Sequence, residues 1–197
     1  MVGRPRKLSV EASLDRALEL FWRQGYAETS MSDLTAALGV GPSSIYRTFG
    51  SKLGLYEAAL ERYVTANGGS VLGPLDAADL TVAVRGCLEA AAERYSRPDC
   101  PGGCAVLNAS PGPDAECRPL VEALQSGSVD RIRARMQEAA DAGQLPARTT
   151  VEAATRYLFA ALQGLSLQAR TGASRELLLD VARLAARPFV TAESRTG

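Results

Sequence analysis

Residues 29–52, TSMSDLTAALGVGPSSIYRTFGSK, constrain the fold more than any other part of the chain. Ser30 and Asp33 have the S-x-x-D spacing of a capping box: the serine oxygen accepts from the Asp33 amide, and the carboxylate reaches back to the Ser30 amide. This predicts a short helix over Met31–Leu38, with Met31, Leu34 and Leu38 on one face. Gly39 follows, where a left-handed backbone ends a helix without a Cβ clash. Pro42 suits the first turn of a second helix, where its missing N–H has no bond to make. That helix runs to Phe49, with Ile45 and Phe49 four apart on the inner side. Ser51 is placed to cap a third helix. Helices this short are marginal alone, so longer neighbours must cover their apolar faces.

The outward stripe of the second short helix is Ser43, Ser44, Arg47 and Thr48. It offers small hydroxyls and one guanidinium, with no carboxylate. A helix of that surface fits a DNA major groove, where short donors and a single Arg meet base edges. The other reading is a purely structural helix-turn-helix inside a different helical protein.

The same stretch resembles the DNA-binding domain of TetR-family transcriptional regulators. The resemblance is carried by Phe21, Gly25, Tyr26, Thr29, the Leu38-Gly39-Val40 turn, Ile45, Tyr46, Phe49, Ser51 and Lys52. The rest of the chain is similar only in length and helical character. The resemblance implies an all-α fold, with an N-terminal three-helix DNA-binding head and a C-terminal helical bundle for effector binding and dimerisation. It assigns phosphate contacts to Thr29, Tyr46 and Lys52, and groove contacts to Pro42, Ser43, Ser44, Arg47 and Thr48. Its implied partners are a double-stranded DNA operator, a second copy of the chain and a small-molecule effector. The implied role is a repressor released from a palindromic site.

The expected division is residues 1–52 for the head, 53–69 for a linking helix and 70–197 for the effector and dimer domain. A basic arm over residues 1–7 carries Arg4, Arg6 and Lys7. Such an arm either reaches into a minor groove or is simply solvated. Formal net charge is zero, so any electrostatic footprint on DNA must be local. The chain's two lysines, Lys7 and Lys52, both fall within the head.

The linking helix should begin at Ser51 and end near Asn67-Gly68-Gly69, with Tyr56, Ala59, Leu60 and Tyr63 on its inner face. In the family this helix connects the two domains, and a displacement of its far end would move the recognition helix. Four further apolar stripes follow. Residues 76–95 carry Val84, Cys87, Leu88, Ala91, Ala92 and Tyr95. Residues 119–142 carry Leu120, Leu124, Ile132 and Met136, with Arg131, Arg133 and Arg135 assigned to a solvated outer face. Ala154, Leu158, Ala161, Leu162 and Leu165 form the third stripe, and Leu177, Val181, Leu184 and Ala185 the fourth. The last two helices are the expected homodimer surface, because a two-fold axis supplies a palindromic site.

Hydrophobic residues make up 46% of the chain, enough for a core, but no run approaches the ~20 apolar residues of a membrane span. The N-terminal MVGRPRKLSV lacks an apolar segment, so no signal peptide and a cytoplasmic location are expected. The chain has no histidine, which removes Ser-His-Asp and Cys-His nucleophiles and His-based metal sites. No cofactor is expected.

Cys100, Cys104 and Cys117 flank a Gly- and Pro-rich stretch. The Gly103-Cys104…Asn108 spacing resembles a TetR subgroup with a Gly-Cys-Leu-Leu-x-Asn loop, some of whose members respond to oxidants or electrophiles. Three readings stay open for these thiols: structural packing, a redox or electrophile switch, or a soft-metal site. A thiol redox enzyme is the rival reading for the whole chain. Tyr95, Cys104, Asn108, Tyr157 and Gln163 are the candidates for fixing an effector, with Arg156 available to an anion and a neutral, mostly apolar ligand expected.

Overall fold

The computed structural model describes residues 9–109 and 116–190. Arg4, Arg6 and Lys7 lie outside the described residues. Among those described, every regular element is helical: α1 (Val10–Gln24), α2 (Met31–Leu38), α3 (Pro42–Phe49), α4 (Lys52–Leu72), α5 (Leu80–Tyr95), α6 (Ala105–Asn108), α7 (Arg118–Asp141), α8 (Val151–Arg170) and α9 (Arg175–Ala186). Short 3-10 turns cover Gly73–Asp76 and Arg187–Phe189. No helix among the described residues is long and apolar enough to cross a membrane.

The head forms as its local signals dictate. Ser9 caps α1 by accepting from the Ala12 amide at 3.2 Å. The box at α2 is complete: Asp33 N–H donates to Ser30 Oγ at 3.1 Å, and Ser30 N–H donates to Asp33 Oδ2 at 2.9 Å. The Ser30 hydroxyl, which also donates to Asp33 Oδ2 at 2.6 Å, holds the Asp33 carboxyl below its usual range, with the Ser30 amide contributing less. Gly39 takes the left-handed φ of 64° that a side chain would resist. Ser51 caps α4 through the Gly54 amide. Ala17, Leu18, Phe21 and Trp22 of α1 close over Leu34, Leu38 and Ile45 from one side, and Leu55, Ala59 and Leu60 of α4 from the other.

Helix α4 departs from expectation. It continues through Asn67, Gly68 and Gly69 to Leu72, and the chain breaks only at the 3-10 turn. Glycine inside a helix costs about 1 kcal/mol against alanine, which tertiary packing offsets here. Val71 and Leu72 pack on the C-terminal core, and Asn67 Nδ2 donates to the Tyr63 carbonyl at 2.9 Å.

The C-terminal body is built around α5, which packs against α8 and α9. Leu88, Ile132, Met136, Leu158, Leu165 and Leu178 are fully buried there. Each such side chain contributes about 1.5–3 kcal/mol relative to exposure. Arg135 was expected on the solvated face of α7, and the structure corrects this. It is only 8% exposed and donates to the carbonyls of Leu75, Ala77 and Ala78 at 3.0–3.1 Å. Its cation satisfies the carbonyls that leave the 3-10 turn.

Head and body share a core. Ala105 and Val106 of α6, with Cys117 and Val121 at the start of α7, belong to the same buried cluster as Phe21, Tyr26 and Tyr56. Asp15 and Arg62 also tie α1 to α4 at 2.7 Å.

Candidate nucleic-acid interface and effector cavity

Pro42 opens α3, Ile45 is its fully buried residue and Phe49 packs half-buried against the same core, so the other side chains form its outer surface. Pro42, Ser43, Arg47 and Thr48 are exposed, Ser44 is half-buried, and Tyr46 is 49% exposed. Thr48 Oγ1 donates to the Ser44 carbonyl at 2.9 Å, leaving its lone pairs outward. Lys52 lies at the adjoining edge. Its Nζ sits 4.3 Å from the centroid of the Tyr26 ring and 3.4 Å from the Ala27 carbonyl. A cation stacked on an aromatic face is preoriented without being neutralised.

Thr29 does not join this surface. Its side chain is fully buried and the hydroxyl donates to the Gly25 carbonyl at 2.7 Å. It closes the end of α1, so the hydroxyl–phosphate contact expected for it is withdrawn.

The five candidates for the effector site do not converge. Tyr95 and Cys104 line a cavity of about 80 Å³ bounded by α4 through α8, together with Tyr63, Leu107, Leu124 and Phe159. The Cys104 thiol lies within hydrogen-bonding reach of the Tyr63 and Tyr95 hydroxyls, and burial, with Cys104 adding to it, pushes both phenols well above their usual range. Tyr157 instead points toward the end of α9, where its hydroxyl donates to the Ala185 carbonyl at 3.0 Å. Gln163 is exposed on α8 and is not among the residues lining this cavity. Arg156 is exposed and paired with Glu152 at 2.7 Å. The α8 residues that do line the cavity are Phe159 and Leu162.

Asn108 serves the loop. Its Nδ2 donates to the Gly102 carbonyl at 3.1 Å, and its Oδ1 accepts from Ser166 Oγ at 2.8 Å, while Ser166 Oγ accepts from the Cys104 amide at 2.9 Å. Gly103 is the tight point of this clasp. At its φ of 74°, a Cβ would lie 2.3 Å from Asn108 Nδ2 and 2.5 Å from the Ser166 carbonyl oxygen. The Gly103-Cys104…Asn108 pattern is thus a loop lock that presents Cys104 to the cavity. Asn108 and Cys117 line a different space, of about 260 Å³, bordered by the α1–α2 loop and Arg170.

The cysteines do not form one site. Cys87 is fully buried in the body, and burial pushes its thiol up to about 12. Cys100 is half-buried and donates to the Arg97 carbonyl at 3.3 Å. Among the described residues no group of three or more His, Cys, Asp or Glu side chains is placed to hold a metal ion. The cavity residue that sequence reasoning missed is Arg94. It falls seven positions after Cys87, on the apolar stripe of α5, and that spacing was the available signal.

Comparison with known proteins agrees with this arrangement. A family model described as "Bacterial regulatory proteins, tetR family" matches residues 14–59, and one described as "Tetracyclin repressor-like, C-terminal domain" matches residues 82–185. The HTH-type transcriptional repressor ComR of Escherichia coli (strain K12) is 30% identical over 185 residues, covering 91% of this chain and 88% of ComR. A cysteine mutant of the TetR family transcriptional regulator CifR, solved in complex with 26bp double-strand operator DNA, superposes with a TM-score of 0.85 at 34% identity, covering 93% of this chain and 98% of that one. A TetR transcriptional regulator from Rhodococcus sp. RHA1 superposes at 0.62 with 38% identity, covering 91% and 98%. These relatives are regulators, and the thiol-enzyme alternative finds no support among them. With a helix-turn-helix head, a helical body and matches spanning both, the chain belongs to the TetR family of bacterial transcriptional regulators.

Proposed function

We propose that the protein is a dimeric repressor that reads a palindromic operator with α3 and releases it when the cavity beside the far end of α4 is filled. The observation that carries this reading is the continuity of α4. One helix begins at Lys52, at the edge of the DNA-facing surface, and lines the cavity with Tyr63, Asn67 and Leu72. A ligand that favours one setting of this helix shifts the populations of DNA-binding and released states. Dimerisation through α8 and α9 is supported by apolar side chains that the single chain leaves in water: Leu167 at 60%, Leu177 at 51% and Leu184 at 53% exposure. The name of ComR supports repression as the direction of control.

The test is fluorescence anisotropy on DNA from upstream of the protein's own gene. Tyr46→Ala and Lys52→Ala should weaken binding to all sequences, with a shallower salt dependence for Lys52→Ala. Arg47→Ala should cost about 1–3 kcal/mol and relax sequence preference. Unchanged affinity and preference in Arg47→Ala would show that another surface reads the DNA.

Release by thiol modification is the second reading, favoured by Cys104 lining the same cavity. DNA binding by Cys104→Ser that stays sensitive to a mild oxidant would exclude it.

A further inference from the structure

The cavity among α4–α8 is apolar on most of its wall, with one cationic exception. Arg94 of α5 lines it. The Arg94 Nε donates to Asn67 Oδ1 at 3.1 Å, and the guanidinium carbon stands 5.8 Å from the centroid of the Tyr63 ring. The Nη1 nitrogen is shut off from solvent and meets no hydrogen-bond acceptor among the described residues. The nearest acids in sequence make their ion pairs elsewhere: Glu93 with Arg175, and Asp99 with Arg97 at 2.6 Å, Asp99 feeling Arg94 as a lesser charge without bonding to it. An arginine stays protonated inside proteins, and a buried donor without an acceptor is among the most costly groups a fold can hold. Arg135 makes the contrast, because three backbone carbonyls receive its guanidinium.

We propose that this cavity binds a short-chain organic monoanion, its carboxylate accepting from Arg94 Nη1 and its hydrocarbon body lying against Leu107, Leu124, Phe159 and Leu162. The ligand is charged at one end, contrary to the neutral effector that the sequence suggests. Its size follows from the cavity, whose volume of about 80 Å³ is roughly half that of an engineered ~150 Å³ cavity that accommodates benzene. A chain of a few carbons fits that space. The apolar wall disfavours inorganic anions, which would lose their hydration and gain a single partner. Asn67 connects the site to α4. It receives Arg94 Nε through one amide atom and holds the Tyr63 carbonyl with the other, so an anion that draws on Arg94 acts on the last turns of that helix. The consequence for DNA rests on the repressor reading above, while the ligand class does not.

The experiment is titration calorimetry of the full-length protein, without DNA, against butyrate, its neutral isostere butyramide, and sodium phosphate. Butyrate should bind at least about tenfold more tightly than butyramide, the margin expected of a charge-assisted pair, with phosphate weaker than either. Arg94→Met, checked for native helicity by circular dichroism, should erase the preference for the acid. Equal binding of acid and amide, phosphate binding as tight as butyrate, absence of binding by every carboxylate from acetate to hexanoate, or a preference that survives Arg94→Met would each overturn the proposal. If the variant fails to fold, the comparison of acid with amide on the natural chain decides alone. Butyrate that binds but leaves operator affinity unchanged would sustain the ligand class and refute release through this cavity.

Discussion

Arg170 Nη1 donates to the backbone carbonyl of Trp22 across 2.8 Å, joining the last turn of α8 to the last turn of α1. The Trp22 carbonyl is one of the helix-end acceptors that has no partner within its own helix, and a cation there also complements the helix dipole. Arg170→Ala should lower stability by about 1–2 kcal/mol in urea denaturation, with faster amide exchange confined to the end of α1. A variant with unchanged exchange in that turn would mean that the contact does not tie body to head in solution.

The Gly103 clasp makes a steeper prediction. Gly103→Ala forces a Cβ against Asn108 and the backbone of α8 at a left-handed φ, and should cost about 2–4 kcal/mol. Asn108→Ala leaves the Gly102 carbonyl and Ser166 hydroxyl without their partner and should cost about 1–3 kcal/mol. Thermal unfolding of both variants checks the order. Asn108→Ala as stable as the natural protein would return Asn108 to the role of a ligand contact.

Arg135→Met keeps most of the side-chain volume and removes the three donors to Leu75, Ala77 and Ala78. The expected loss is about 2–4 kcal/mol, measured by chemical denaturation. A loss near zero would mean that water satisfies those carbonyls.

Cys87 supplies a pH dependence. Its folded thiol is raised from 9.0 to about 12 by burial. Between those values the native state holds a proton that the unfolded chain has lost, so this group's contribution to stability is intact below pH 9.0 and falls as pH rises toward 12. Cys87→Ala should flatten that alkaline loss. In a thiol titration at pH 8, Cys87 should stay silent until the protein is unfolded, and early labelling of Cys87 would contradict its burial.

The head was legible in the sequence because its signals are local. Ser30 with Asp33, Gly39, Pro42 and Ser51 each act within one turn, and each stands where its spacing put it. The misreadings came where tertiary packing overrides a local rule. Gly68 and Gly69 look like a stop, yet α4 passes through them because its final turns are packed against the body. Arg135 was read through its charge and Arg94 was passed over, although each continues an inner stripe, three positions after Ile132 and seven after Cys87. Thr29 was read through its hydroxyl, which the fold spends on the Gly25 carbonyl. Tyr157 and Gln163 share a helix with cavity residue Leu162 but lie on other sides of it, a distinction that polar character alone does not make.

The unbroken length of α4 has a geometric corollary for operator choice. Its 21 residues extend roughly 30 Å at about 1.5 Å per residue. A tilt of about 5° at the cavity end therefore carries the Lys52 end by roughly 3 Å, close to the ~3.4 Å rise of one base pair. In a two-fold dimer the two reading heads would separate or approach by twice that amount. Under the repressor reading proposed above, a filled cavity would leave both recognition surfaces intact and reset the ruler between them, so the occupied protein should turn toward half-sites spaced a base pair or two differently.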